Sequence, residues 1–131
     1  MTDFQDEGRD YRLAITVDTR YLDADSSPAD ERYAFAYTIR IRNDGALPAR
    51  LLARRWVITD AVGDVREVDG EGVVGEQPWL RPGEEYTYTS GAVLPTPIGT
   101  MQGSYRMLAD DGTRFEAPIP PFTLCVPHSL H

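Results

Sequence analysis

The run Tyr33-Ala-Phe-Ala-Tyr-Thr-Ile-Arg-Ile-Arg42 alternates large apolar side chains with small or polar ones more regularly than any other part of the chain. Successive side chains of a β-strand point to opposite faces, so Tyr33 to Ile41 would present every second residue to a core. Asn43-Asp44-Gly45 follows directly and has the residue types that tight turns favour. The run therefore predicts a half-buried β-strand that ends in a turn.

Further runs of this kind are separated by turn residues such as Asp60-Ala-Val-Gly-Asp64 and Asp110-Asp111-Gly112. They are Tyr11–Tyr21, Leu51–Thr59, Val65–Val68, Glu84–Ser90, Thr100–Leu108, Thr113–Pro118 and Phe122–Val126. No long segment has the helical period of about 3.6 residues, and ten prolines interrupt the chain. About seven or eight short strands at this spacing predict an all-β fold, an immunoglobulin-like or fibronectin type III-like β-sandwich of two antiparallel sheets.

The length of 131 residues suits one domain. Residues 1–10 are acidic and lack periodicity, so we predict a disordered tail followed by a single domain over residues 11–131. No apolar stretch is long enough to insert into a membrane, and the acidic N-terminus differs from a signal peptide. Cys125 is the single cysteine, which excludes an internal disulfide and favours a cytoplasmic location.

The charged residues are unevenly distributed. Thirteen arginines, no lysine and 21 acids give a net charge of −8, which disfavours nucleic-acid binding. Residues 32–66 nevertheless hold seven arginines and three acids. Guanidinium groups suit carboxylates and phosphates, so one hypothesis is a basic face for an acidic partner or anion, formed by Arg40, Arg42, Arg54 and Arg55 together with Arg50. We favour the other interpretation, a solvated face on which these arginines pair with the protein's own acids.

Gly70-x-Gly72-x-x-Gly75 resembles a dinucleotide-binding fingerprint, which requires a helix after the glycines. Pro78 and Pro82-Gly83 stand where that helix would continue, and a Walker-type loop would need a lysine. We therefore interpret the segment as a connection between strands. We predict that it binds a partner or ligand through Gly70, Gly72, Gly75, Glu76, Gln77, Pro78 and Trp79. Trp79 is compatible with core packing or with an exposed anchor.

Metal and catalytic signals are weak. Glu67, Asp69 and Glu71 alternate on one face, as ligands of a hard cation could, but a calcium loop would need glutamate where Pro78 stands. His128 and His131 have a spacing that a transition metal could use. Cys125 lies between apolar residues, and no serine lies in a nucleophile elbow. We expect no cofactor, no metal site and no enzymatic activity.

Several spaced motifs resemble the ApaG family. They are Leu51-Leu52-x-Arg54-x-Trp56, Gly72-Val-Val-Gly-Glu-Gln-Pro78, Thr96-Pro-x-Gly99 and Met101-x-Gly103-x-Tyr105-x-Met107, within a resemblance that covers about Tyr11 to His131. The resemblance implies a fibronectin type III-like sandwich with no established catalytic activity. It also implies the association with cobalt and magnesium resistance or efflux that bacterial members have. Related domains of larger eukaryotic proteins, including an F-box protein, are expected to bind proteins.

These observations lead us to expect a non-enzymatic protein-binding module, indirectly linked to cobalt and magnesium homeostasis. Its partner would be a protein, and strand edges would also allow a homodimer. The alternative is a sensor that binds a phosphate-containing ligand or a divalent metal at the glycine-rich loop. A phosphate-anhydride hydrolase is a third reading, which rests only on the glycines and carboxylates of residues 67–76.

Overall fold

The computed structural model describes residues 10–127 and contains eight strands. In chain order they are β1 (Leu13–Tyr21), β2 (Tyr33–Asn43), β3 (Ala49–Asp60), β4 (Val65–Glu71), β5 (Trp79–Leu80), β6 (Glu85–Leu94), β7 (Ile98–Ala109) and β8 (Arg114–Cys125). Apart from Asp10, the predicted acidic tail lies outside the described residues, as do His128 and His131. Within residues 10–127, no helix is long and apolar enough to cross a membrane.

The strands form two antiparallel sheets. The first sheet has the order β1-β2-β6, and the second has the order β4-β3-β7-β8 with the short β5 paired to β3. This arrangement confirms the predicted β-sandwich. It also places β2 and β3, which are consecutive in the chain, in different sheets.

The core lies between the inner faces of the two sheets. From the first sheet, β2 contributes the predicted stripe, with Phe35, Tyr37, Ile39 and Ile41 buried. From the second sheet, β7 contributes Met101, Tyr105 and Met107. The hydroxyl groups of Tyr88 on β6 and Tyr105 are 2.6 Å apart, so one buried hydrogen bond joins the sheets.

A β-bulge at Leu52 changes which side of β3 faces the core. The register of β3 with β7 shifts between Leu51 and Ala53, so Leu51 is fully buried and Leu52 is not. Strict alternation along Leu51–Thr59 would put Leu52 on the same face as Trp56 and Ile58, and this expectation is wrong at Leu52. A bulge inserts one unpaired residue, which alternation alone does not reveal.

The extent of β8 also differs from the prediction. The sequence predicted two strands, ending at Pro118 and restarting at Phe122, whereas the structure has one strand from Arg114 to Cys125. The register with β7 shifts between Met101 and Gly103, so β8 has an extra residue near Pro120 and Pro121. Proline has no N–H to donate and is tolerated at bulges and on edge strands, and β8 is both bulged and at an edge.

Candidate functional site

The segment from Gly70 to Trp79, called the glycine loop below, connects β4 to β5 through a tight turn. Val73 N–H donates to the Glu76 carbonyl at 2.8 Å, and Glu76 N–H donates back to the Val73 carbonyl at 2.9 Å. Both central residues have positive φ, 48° at Val74 and 79° at Gly75. That combination is characteristic of a type I′ turn, so the glycines end a strand pair and open no helix.

The bulge at Leu52 positions this loop. The Leu52 carbonyl accepts the backbone N–H of Gly72 at 2.8 Å and the side-chain amide of Gln77 at 2.9 Å. The next contact is from Leu51 N–H to the Pro78 carbonyl at 3.0 Å. Val73 is fully buried in the core cluster and anchors the loop from beneath. The loop is therefore tied to β3 on both sides of its turn.

Arg54 is a further tie, from the inner side of β3. Its Nη1 donates to the Glu71 carbonyl at 3.0 Å and to the Gly72 carbonyl at 2.9 Å. Gly70 lies opposite Arg54 in the strand pairing, and a Cβ at Gly70 would come within 2.7 Å of the guanidinium. Gly70 thus leaves room for the Arg54 guanidinium, and a larger residue there would displace the end of that side chain.

Two apolar side chains of the glycine loop remain exposed. Val74 is 60% exposed at the tip, and Trp79 is 40% exposed at the end of the loop. Trp79 pairs with Arg50 of β3, whose Cζ is 5.8 Å from the ring centroid, within the range of a cation–π contact. The buried residue of β5 is Leu80, so Trp79 is not a core residue, and its role as a binding anchor stays a prediction.

The glycine loop does not form a phosphate cradle. A cradle needs backbone N–H groups directed at the ligand, whereas the N–H groups of Gly72, Val73 and Glu76 donate to carbonyls of the protein. Glu71 and Glu76 also place two carboxylates on the loop, which would repel an anion.

The predicted basic face is wrong as a single patch. Arg40 and Arg42 are on β2 in the first sheet, whereas Arg50, Arg54 and Arg55 are on β3 in the second. A shared face would need β2 and β3 to be neighbours in one sheet, but the chain crosses between the sheets after Asn43. Arg54 and Arg55 are consecutive in β3, so their side chains also lie on opposite faces of the sheet, Arg54 on the inner and Arg55 on the outer face.

The outward arginines pair with the protein's own acids. Arg40 lies 3.8 Å from Glu85, Arg42 lies 2.6 Å from Asp44, and Arg55 pairs with Glu67. The hydrogen bond from Arg42 holds the pKa of the Asp44 carboxyl below its ordinary value. Such exposed pairs contribute little to stability, because water and salt screen them. Their net effect is to reduce the positive charge available to a partner.

The remaining chemical candidates are dispersed. Within residues 10–127, no group of three or more His, Cys, Asp and Glu side chains is placed to hold a metal ion. Glu67, Asp69 and Glu71 do share the outer face of β4, but Glu67 is paired with Arg55. Cys125 is half-buried, and its thiol donates to the Val126 carbonyl at 3.3 Å.

Asn43 has a structural role at this site, whereas the sequence indicated only a turn there. It is 2% exposed, and its Nδ2 donates to the carbonyls of Leu47 and Leu80, each at 2.9 Å. Its Oδ1 accepts the Gly45 N–H at 2.8 Å. Asn43 therefore joins the β2–β3 connection to the strand that follows the glycine loop. Its position at the end of an apolar stripe was the one available signal.

Residues 23–109 match the ApaG domain family. The chain belongs to the ApaG family. Protein ApaG of Stenotrophomonas maltophilia is 60% identical over 121 residues, covering 92% of this chain and 95% of that protein. Protein ApaG of Xanthomonas euvesicatoria is 61% identical over 127 residues, covering 97% and 99%. The crystal structure of the putative ApaA protein from Bordetella pertussis superposes with a TM-score of 0.89 at 49% identity, covering 92% and 98%. Each of these three proteins covers 92% or more of this chain.

Proposed function

We propose that this protein is a non-enzymatic, protein-binding ApaG module that engages its partner through the glycine loop. The observation that carries the proposal is the exposure of Val74 and Trp79 on a loop that is otherwise tied down. A cytoplasmic setting and an indirect link to cobalt and magnesium homeostasis belong to the same proposal, because a partner would provide the link.

The fixed conformation of the glycine loop favours binding. A loop already held in one conformation loses little entropy when a partner docks, so more of the contact energy appears as affinity. Tryptophan and arginine are the residue types most enriched at binding hot spots, and Trp79 with Arg50 places both together at the surface.

Val74 supports this reading through backbone strain. A β-branched residue with φ of 48° is unfavourable, and asparagine or glycine is usual in that position of a type I′ turn. Strained residues of this kind cluster at binding and active sites. A valine at the tip of the turn is therefore costly for folding and useful for apolar contact.

The test uses a substitution that separates binding from folding. Val74→Asn relieves strain at a positive φ, so it should stabilise the fold by about 1 kcal/mol while it removes the apolar contact. We expect Val74→Asn and Trp79→Ala to weaken partner binding at least tenfold, or about 1.4 kcal/mol, in quantitative affinity capture from lysate of the native cells. The matched control is Val62→Asn, since Val62 is 74% exposed on the β3–β4 hairpin outside the loop.

A partner retained equally by all three variants would contradict the proposal. Thermal melting with cobalt or magnesium tests the sensor alternative, since a ligand that binds only the folded state raises Tm. A metal-dependent rise that Val74→Asn and Trp79→Ala leave intact, with no partner captured, would favour the sensor over the binding module.

A further inference from the structure

A groove separate from the exposed Val74 and Trp79 of the glycine loop lies between the edges of the two sheets. β6 is an edge of the first sheet and β4 is an edge of the second. Between them lies a space of about 180 Å³ whose polar lining residues are Tyr37, Arg54, Trp56, Arg66 and Ser90. Strand pairing puts Val68 opposite Trp56 and Arg66 opposite Ile58, so these residues of β4 share the inner face with the core.

The polar lining supplies hydrogen-bond donors and no carboxylate. Two guanidinium groups and an indole N–H donate only, and the hydroxyl groups can donate as well. In a chain with 21 acids, this groove is lined by two arginines and no acid, whereas Asp60 and Asp64 line an adjoining hollow together with Arg66. Among the described residues, the recorded ion pairs include neither Arg54 nor Arg66.

Trp56 marks the inner wall of this groove. It is 2% exposed, and within the described part of the chain its Nε1 is the buried side-chain donor that has no hydrogen-bond partner. Tyr37 and Phe122 pack edge-to-face against the indole, with centroids 5.5 and 5.8 Å away, and hold its plane. The indole is therefore a fixed part of the groove wall.

Arg66 is held loosely beside it. The Arg66 Nη2 donates a long, weak hydrogen bond to the Val93 carbonyl at 3.4 Å, and the side chain is exposed. A guanidinium with so little holding it can turn to meet an anion. The other side of the groove is apolar and includes Val68 and Met101.

We propose that this groove binds a small organic acid. Arg66 turns to meet the carboxylate, the Ser90 hydroxyl donates to it, and Arg54 adds a favourable field from its fixed position beside the buried Trp56 indole. The apolar body lies against Val68 and Met101. The size is appropriate, because a cavity of about 150 Å³ is enough for benzene. A phosphate would lack apolar contact, and an alcohol of the same shape would leave the guanidinium without a counter-charge. The site does not depend on the protein partner proposed above.

The experiment follows the indole N–H signals of the folded protein by NMR. The chain has two tryptophans, so Trp56 and Trp79 give two signals, and Trp79→Phe assigns them. Benzoate is the probe, with benzyl alcohol as the neutral analogue and inorganic phosphate as the anion without an apolar body. We expect benzoate to shift the Trp56 signal saturably and to leave the Trp79 signal in place.

The variants are Arg66→Gln and, as a control with the same charge change, Arg40→Gln on the outer face of the first sheet. Arg66→Gln should weaken benzoate binding at least tenfold, whereas Arg40→Gln should leave it within twofold. The proposal is overturned if benzoate gives no saturable shift, or if benzyl alcohol or phosphate shifts the signal equally. An equal loss in Arg40→Gln would likewise overturn it, because the effect would then reflect net charge.

Discussion

Gly72 and Gly75 both have positive φ, but their surroundings differ. A Cβ added at Gly72 would lie 2.3 Å from the Glu76 carbonyl oxygen, which belongs to the backbone across the turn. A Cβ at Gly75 would meet no atom within 4 Å. The requirement for glycine is therefore steric and conformational at Gly72, and conformational alone at Gly75.

Alanine substitutions should separate these two costs. We expect Gly75→Ala to lower the free energy of unfolding by about 1–2 kcal/mol, from the positive φ alone. Gly72→Ala should cost about 3 kcal/mol or more, because overpacking against a backbone atom adds to the strain. Urea unfolding of the two variants measures the difference. Equal losses would show that the turn relaxes around the added methyl group.

Among the strands, β3 has the most pairing partners. It pairs with β4, β5 and β7, its bulge supplies the Leu52 carbonyl to the glycine loop, and its inward Arg54 holds the start of that loop. β8, by contrast, is a protected edge, because Pro118, Pro120 and Pro121 cannot donate to another strand. A homodimer stays a prediction, and β8 is the edge least suited to form it.

Removing the Arg54 tie should loosen the glycine loop. We expect Arg54→Gln to lower the free energy of unfolding by about 2 kcal/mol, since a hydrogen bond to a charged group contributes about 1.5–3 kcal/mol and this side chain is only partly buried. Amide exchange should become faster at Gly72, Val73 and Glu76. The matched control is Arg55→Gln, which breaks an exposed ion pair and should cost at most about 1 kcal/mol. Similar exchange rates in both variants would argue against this role for Arg54.

At the scale of the whole molecule, the hydrogen bond between Tyr88 and Tyr105 connects the sheets. Burial is the main reason that the pKa of each phenol is raised well above its ordinary value. In the unfolded chain both groups ionise near pH 10, whereas the folded protein keeps them neutral. As the pH rises, the unfolded state therefore loses these protons before the folded state does. The contribution of the two phenols to the free energy of unfolding is fully present below pH 10 and decreases as the pH rises above it.

We expect the free energy of unfolding to fall above pH 10 by up to about 1.4 kcal/mol per pH unit for each tyrosine of the pair. Replacing both with Phe should remove most of this slope and leave neutral-pH stability little changed, because both partners of the bond are lost together. Tyr11, whose pKa the hydrogen bond to Asp111 raises, remains and keeps a residual slope. Denaturant titrations between pH 8 and pH 11 measure the effect, and an unchanged slope in the double variant would refute it.

Alternation and turn residues were sufficient to predict the sandwich, the inward stripe of β2 and the absence of a helix after the glycines, because these depend on neighbours in the chain. The spaced motifs were likewise sufficient to recognise the ApaG family. The pairing of strands could not be obtained in this way. It depends on which sheet each strand joins, and on one bulge that puts Leu51 rather than Leu52 in the core. For that reason the basic face was wrong, whereas the type I′ turn, the Arg54 tie and the groove beside Trp56 became visible only when distant segments were brought together.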